Sequence, residues 1–362
     1  MLVSIATITA CNPLPEIGYE TDRLRIATDF DDRICDATLQ AFDDHVASVE
    51  DVLATPTRKD PIVVYWLDDV TDYCGEGRYG CFFPGTRVLF STGPSITHEI
   101  VHAVLDSTAR TYFVEEGMAE MLSGVDVWYR PDPKHDNPAN ELRLTPSAYR
   151  DGKLDYAAAA HFMRFVYDTE GDIAMRALAD TIIDGGDAHA IEGTLEHAFE
   201  APIEEIEERY FGQSHTYYRG FAAQEIALAE ELSAGLDMRL DCDDGETRGP
   251  LISGGGGLYR VRQVKIKRGG LADIEVDGDS DGWIDFFDPT SSRGIVTNWA
   301  MPRADVDPHA LHLVAGDRVK HQLEPGTYLA VFGADSDGTE LSLKLSIPLP
   351  PPSQPEESSG PE

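Results

Sequence analysis

The 362 residues predict an α+β chain followed by a separate all-β sandwich. Three observations carry that reading. Up to about residue 235, apolar residues at helical spacing alternate with short apolar runs of strand length. Beyond Gly235 the composition shifts to brief strands separated by Gly, Asp and Pro, as in a β-sandwich. Apolar residues make up 42% of the chain, enough to fill both cores, which excludes wholesale disorder. The expected division is 1–19 as a signal remnant and linker, 20–235 as the α+β domain and 236–348 as the sandwich. The Pro-rich tail 349–362 is expected to be disordered.

In chain order, Arg23–Ala27 and Ile62–Leu67 read as strands, the second apolar enough to be buried on both faces. Between them Leu39, Phe42, Val46, Val49 and Val52 mark a helix from Ala37 to Leu53. Arg87–Phe90 is a third strand, and two helices span Ile96 to Leu122 with a break near Ser107–Arg110. Val125 to Leu154, with four prolines, reads as one long loop, and such loops are usually functional. Helices follow at Tyr156–Tyr167, Ile173–Ile183, Ala188–Phe199 and Ile203–Leu232. The sandwich strands are Leu258–Ile266, Asp273–Val276, Trp283–Phe287, Ala310–Val314, Thr327–Phe332 and Leu341–Ile347.

The net charge of −36 (29 Lys+Arg against 65 Asp+Glu) argues against nucleic acid, whose phosphates are bound by exchanging counterions for Lys and Arg. It disfavours anionic membrane surfaces equally. Residues 1–235 carry −26, residues 236–348 carry −7 and the tail −3.

The start, MLVSIATITAC, places Ile8-Thr9-Ala10 before Cys11. That tetrad resembles a bacterial lipobox, which would make Cys11 the lipidated first residue of a mature, extracytoplasmic protein. The basic start of a secretory segment is missing, which would place the true start upstream of Met1. The alternative is an ordinary first strand with a free thiol. No segment approaches the ~18 apolar residues of a membrane helix, so any membrane link is this anchor. Cys35, Cys74, Cys81 and Cys242 remain, an even set that an oxidising compartment would pair. Cys74 and Cys81 bracket a Gly-rich loop and are the first choice; Cys35–Cys242 would then tie the domains. Three connectivities are open, as is a set of reduced core thiols.

His98-Glu99-Ile100-Val101-His102 places two imidazoles one turn apart on one helix face. Both can reach one Zn²⁺ at about 2.0–2.1 Å, with Glu99 beside them as a proton acceptor. Catalytic zinc needs a third protein ligand. Phe113-Val114-Glu115-Glu116-Gly117-Met118-Ala119-Glu120 offers Glu116 and Glu120, again one turn apart, so one can ligate and the other orient a histidine. Glu115 competes with Glu116, but only Glu116 pairs with Glu120 at i+4.

HEIVH followed by Glu116 in an E-G-x-A-E context resembles the gluzincin metallopeptidases, peptidase MA-like proteins among them. The resemblance covers roughly residues 20–215, with its specific motifs at 98–120. It implies a zincin-like domain, His98, His102 and Glu116 as zinc ligands, and Glu120 supporting the first histidine. It also implies peptide hydrolysis by a metal-activated water with Glu99 as general base. An oxyanion-stabilising donor belongs to that chemistry. Tyr156, His161 and Tyr149 are candidates, Tyr156 first because it would start a helix near the site. The strand Arg87–Phe90 is expected to pair with an extended peptide or protein substrate. A second reading is a non-catalytic surface lipoprotein that uses the same fold for binding. The acids left over read as solvating charge that biases the cleft toward basic substrates.

Asp277, Asp279, Asp281, Asp285 and Asp288, with Gly282, fit calcium-loop spacing. A Gly/Asp hairpin turn competes with that reading and is favoured, because 250–348, with Pro325-Gly326-Thr327-Tyr328, resembles the bacterial pre-peptidase C-terminal β-sandwich. Gly254–Gly257 reads as a flexible turn. Arg260, Arg262, Lys265, Lys267 and Arg268 read as a solvated strand face docking on nearby acid. His135, His161, His189 and His197 show no ligand pattern. Neither a G-x-S-x-G nor a cysteine nucleophile signature occurs.

Overall fold

The computed structural model describes residues 14–55, 60–93, 95–107, 111–124, 127–133, 137–213, 217–218, 228–229, 235–250, 257–287 and 311–347. Expectations on Cys11, His135, Asp288, most of the Gly254–Gly257 turn and the 349–362 tail fall outside them. The described residues form two units: those up to 218 together with 248–250, and those at 228–247, 257–287 and 311–347.

The first unit begins with β1 (Ile17–Glu20), β2 (Leu24–Thr28), α1 (Asp36–Leu53), β3 (Ile62–Trp66) and the single turn α2 (Thr71–Cys74). Next come β4 (Gly80–Phe83), β5 (Val88–Ser91), α3 (Ile96–Leu105) and α4 (Tyr112–Leu122). Its sheet has the order β1-β2-β3-β5-β4, with β2, β3 and β5 parallel and both edges antiparallel. The third strand is therefore internal, and the edge belongs to β4. That four-residue Gly-Cys-Phe-Phe segment, too short to stand out as a strand in the sequence, takes strand form by pairing with β5. In β3, Ile62, Val64 and Trp66 enter the main core while Tyr65 stacks on Phe90 at 4.9 Å, so both faces are covered.

Residues 127–150 are not one loop. β6 (Val127–Trp128) pairs with β7 (Tyr217–Tyr218), and α5 (Pro138–Glu141) and α6 (Pro146–Arg150) are single turns. Pro138 and Pro146 start these turns, with Asn137 and Thr145 accepting the N–H of Asn140 and Ala148. Proline at the first helical position lacks only an N–H that would be orphaned there anyway. α7 (Tyr156–Ile183) runs its two halves end to end through Gly171, whose φ of 68° suits glycine. α8 (Ala188–Phe199) and α9 (Ile203–Gly212) complete the unit. The last helix stops at Gly212 rather than at Leu232, because Gln213 is extended (φ −73°, ψ 147°) and the chain enters β7. One core joins β2, β3, α1, α3, α4, α7, α8 and α9. Gly117 in α4 lets α7 approach: a Cβ there would lie 2.7 Å from the Ala159 carbonyl oxygen.

The second unit has β8 (Leu228–Ala229), β9 (Leu236–Leu240), β10 (Leu258–Ile266), β11 (Gly270–Gly278) and β12 (Gly282–Phe287). It closes with β13 (Leu311–Val314), β14 (Arg318–Leu323), β15 (Gly326–Ala334) and β16 (Thr339–Ser346). Two sheets form, β13-β12-β15-β10-β8 and β14-β11-β16-β9. They pack closely enough that a Cβ on Gly282 would meet Leu341 at 2.3 Å. Of the basic cluster, Arg260 and Arg262 both bond Glu246, and Arg260 also bonds Asp244. Lys265, Lys267 and Arg268 are exposed.

Four of the five acids with calcium-loop spacing are described, and each bonds a different part of the unit. Asp277 pairs with Lys344, and Asp279 accepts the Glu340 N–H at 2.9 Å. Asp281 accepts from the Ser336 and Thr339 hydroxyls, and buried Asp285 bonds His312 at 2.7 Å. Among the described residues these acids do not gather round one point. Residues of β13, of β16 and of the turn before β16 take these four acids one by one.

Candidate metal centre

Ser91 ends β5 in the core, and its hydroxyl lies 2.9 Å from Ser95 Oγ while accepting the Gly93 N–H. Gly93, at φ 91°, turns the chain from strand into α3. Ile96, Ile100, Val101, Ala103, Val104 and Leu105 bury that helix. Its remaining face carries His98 and His102 toward α4. Buried His45 of α1 holds the first turn, its Nε2–H donating to the Thr97 carbonyl at 3.1 Å.

Three ligand atoms converge. His98 Nε2 and His102 Nε2 are 3.2 Å apart, and Glu116 Oε2 lies 3.1 Å from the first and 3.2 Å from the second. Ligands about 2.0–2.1 Å from a tetrahedral centre stand roughly 3.3 Å from one another, so the triangle fits one zinc-sized ion. Three nitrogen and oxygen donors with a fourth direction open to the cleft suit zinc better than calcium, which takes six or more oxygens. Glu120 Oε2 bonds His98 Nδ1 at 3.0 Å, fixing which ring nitrogen faces the centre.

The electrostatics show how tightly these groups are coupled. Burial alone would lower His98, but its bonds to Glu116 and Glu120 outweigh that and hold it well above the ordinary histidine range. Burial would likewise raise Glu116, yet His102 and His98 hold it well below the usual carboxylate range. A metal cation binding here takes the place of the His98 proton, because a ligating imidazole must be neutral. Glu99 is raised by burial, with His98 and His102 pulling the other way. It sits against the edge strand: a Cβ on Gly80 would lie 2.8 Å from Glu99 Oε1. Glycine at 80 is what lets the carboxylate fit there.

Glu115 does not compete for the centre. Its Oε1 accepts the Thr111 N–H at 2.9 Å, closing the first turn of α4 and turning away from the histidines. His161 is fully buried, 3.0 Å from the Tyr210 hydroxyl in the core. His189 and His197 are exposed on α8.

Tyr149 and Tyr156 both line the cleft, which encloses about 740 Å³. Tyr149 donates its hydroxyl to Glu116 Oε1 at 2.8 Å and stacks on Tyr112 at 4.1 Å. Tyr156 is 39% exposed, with its hydroxyl 3.2 Å from that of Tyr149. Burial, then the Glu116 charge, push Tyr149 up to about 12 and raise Tyr156 as well, so both keep their protons at neutral pH. Cys74 and Cys81 form a disulfide at the base of the loop that leads into β4. Cys35 and Cys242 are disulfide-bonded too, and such bonds point to an extracytoplasmic setting. No described helix is long and apolar enough to cross a membrane.

Sequence reasoning missed Arg78 and Arg150, which also line the cleft. They run against the expected bias toward basic substrates. Tyr149, one of the candidate oxyanion donors, is the sequence signal next to Arg150.

A half-buried His98, a buried His102 and a buried carboxylate that can share one metal ion, at the wall of an open cleft, define the chemical class of this site. No family model matches the sequence, and no curated protein matches it. Among solved structures, the chain is similar to the pre-peptidase C-terminal domain of a Bacillus anthracis collagenase, with 10% identity and a TM-score of 0.21. That match covers 34% of this chain and 98% of the other. A Legionella pneumophila aminopeptidase A in complex with aspartic acid matches at 11% identity and TM-score 0.30, over 88% of this chain and 35% of its own. A 4-O-methyl-α-glucuronidase matches at 10% and 0.17, over 60% and 33%. The chain thus spans about a third of the two longer relatives, and the chemistry of the site rests on its own residues.

Proposed function

We propose that this protein is a zinc-dependent peptidase of gluzincin type, with His98, His102 and Glu116 as ligands and Glu99 as general base. The observation that carries the reading is the 3.1–3.2 Å triangle of His98 Nε2, His102 Nε2 and Glu116 Oε2, with buried Glu99 beside it. Zinc, when bound, supplies Lewis acidity that activates water and polarises a carbonyl.

The chain's own residues supply the rest. Glu99, raised by burial, is suited to take the proton of the attacking water and pass it to the leaving amine. Tyr156, protonated and exposed in the cleft, donates to the oxygen that gains charge in the transition state. Tyr149 positions Glu116 and the Tyr156 hydroxyl. The edge strand β4 takes an extended peptide beside Glu99. The substrate is a peptide or protein and not a nucleic acid. The lipobox-like Cys11 and the disulfides favour a secreted or lipid-anchored bacterial protein, with the second unit serving substrate or surface binding.

The test is metal analysis of purified protein together with a peptide-library assay with and without chelator. Stoichiometric zinc and chelator-sensitive cleavage are expected. Stoichiometric zinc without cleavage of any peptide would favour the binding-protein reading instead.

A further inference from the structure

The chain is strongly acidic, and its exposed arginines are mostly spoken for. In the first unit Arg143 pairs with Glu192, Arg164 with Asp168, Arg176 with Asp172 and Arg209 with Glu205. Arg78 and Arg150 depart from that pattern. Both are exposed and line the metal cleft, and neither makes an ion pair among the described residues.

Arg78 is also held in place. Its loop is closed by the Cys74–Cys81 disulfide, with Cα atoms 5.5 Å apart. Gly75 and Gly77, at φ 93° and 73°, shape the turn before it. Beyond it the Tyr79 carbonyl accepts the Thr92 N–H at 2.8 Å and the Thr92 hydroxyl at 3.1 Å. The guanidinium carbon stands 5.7 Å from the centre of the Tyr149 ring, a favourable cation–π distance. That ring's hydroxyl touches Glu116, so one tyrosine separates Arg78 from the ligand set. Arg150 follows Tyr149 on α6 and adds positive charge to the same cleft.

A guanidinium is a planar fork that binds carboxylates through two parallel hydrogen bonds. The geometry points to Arg78, assisted by Arg150, as the residue that selects substrates bearing a carboxylate near the scissile bond. An extended peptide advances about 3.3 Å per residue, so that carboxylate lies roughly one to three residues from the bond cut. The carboxylate is either an acidic side chain or the free C-terminus. This inference rests on the peptidase reading and gives it a substrate class.

The experiment uses dansylated heptapeptides with Asp or Asn near the scissile bond, each with a free or amidated C-terminus. Binding to the full-length, zinc-loaded Glu99→Gln protein is followed by fluorescence anisotropy, and hydrolysis by the wild type is measured in parallel. The peptide with the recognised carboxylate binds about tenfold tighter than its neutral match, in the range of a charge-assisted bond. The Asp/Asn pair and the acid/amide pair show which carboxylate it is. R78A reduces the preference to less than about twofold, R150A reduces it less, and R78K keeps part of it. R78E transfers the preference to a Lys-bearing peptide. Equal binding of charged and neutral peptides, a preference that survives R78A, or no binding of any peptide overturns the inference. Cleavage without a carboxylate preference would do so while leaving the peptidase reading intact. A preference lost in R78A, in a protein that hydrolyses nothing, would sink the peptidase reading and keep the carboxylate site.

Discussion

Tyr149 donates its hydroxyl to Glu116 Oε1 at 2.8 Å, on the carboxylate whose other oxygen lies within 3.2 Å of both His98 Nε2 and His102 Nε2. One bond therefore decides which oxygen of Glu116 faces the metal centre. Tyr149→Phe removes it while keeping the ring that stacks on Tyr112. Zinc affinity in a chelator-competition titration should fall roughly tenfold, as partners of metal ligands generally show, with little change in melting temperature. The Tyr156 hydroxyl bonds no ligand, and Phe keeps the ring that lies 6.2 Å from His98, so Tyr156→Phe should lower kcat and leave zinc affinity unchanged.

Glu120 fixes the His98 ring through a 3.0 Å bond to Nδ1. Glu120→Gln loses the charge, and because the amide can either accept from or donate to Nδ1 it no longer dictates the tautomer. Zinc affinity is expected to drop roughly 10- to 100-fold. A titration indistinguishable from wild type would show that Glu120 has no part in the site.

Gly117 stands where α4 meets α7. In an open helix Gly→Ala would add up to about 1 kcal/mol of helix propensity. Here the new Cβ would fall 2.7 Å from the Ala159 carbonyl oxygen, which is backbone and cannot swing aside. Overpacking of this kind typically costs about 1–3 kcal/mol. Calorimetry should find Gly117→Ala less stable than wild type, by a few degrees.

His45 is buried neutral, and burial lowers it to about 4 despite its bond to the Thr97 carbonyl. Its folded value lies below the unfolded one of about 6.5, so the unfolded chain binds the extra proton between them. The stability it contributes is present above pH 6.5 and is lost as pH falls toward 4, on the order of 3 kcal/mol. His45→Gln keeps an N–H donor and does not titrate. The wild-type minus variant difference in unfolding free energy should therefore fall across that window; a flat difference would contradict the assignment.

The convergence of His98, His102 and Glu116 was legible in the sequence because the cluster is local. His98 and His102 share one helix face, and Glu116 and Glu120 share the next. The single turn that separates each pair is fixed by helix geometry alone. What surrounds them depends on long-range pairing. Gly80–Phe83 has no strand pattern and becomes the edge beside Glu99 only through β5. Pro138 and Pro146 read as breakers, yet each begins a turn, and the second of these carries Tyr149 to Glu116. The helical pattern past Gly212 continued in sequence where the chain turns into β7. Arg78 carried no signal, since a lone arginine in a Gly-rich loop is usually a solvated surface residue.

The most direct test of the account compares zinc content and peptide cleavage in wild type and Glu99→Gln. Glu99 is a neighbour of the ligands and contributes none of the three converging atoms. One zinc per chain is expected in both proteins, and cleavage, by mass spectrometry of a peptide library, in wild type only. A Glu99→Gln protein that cleaves as fast as wild type would contradict that expectation.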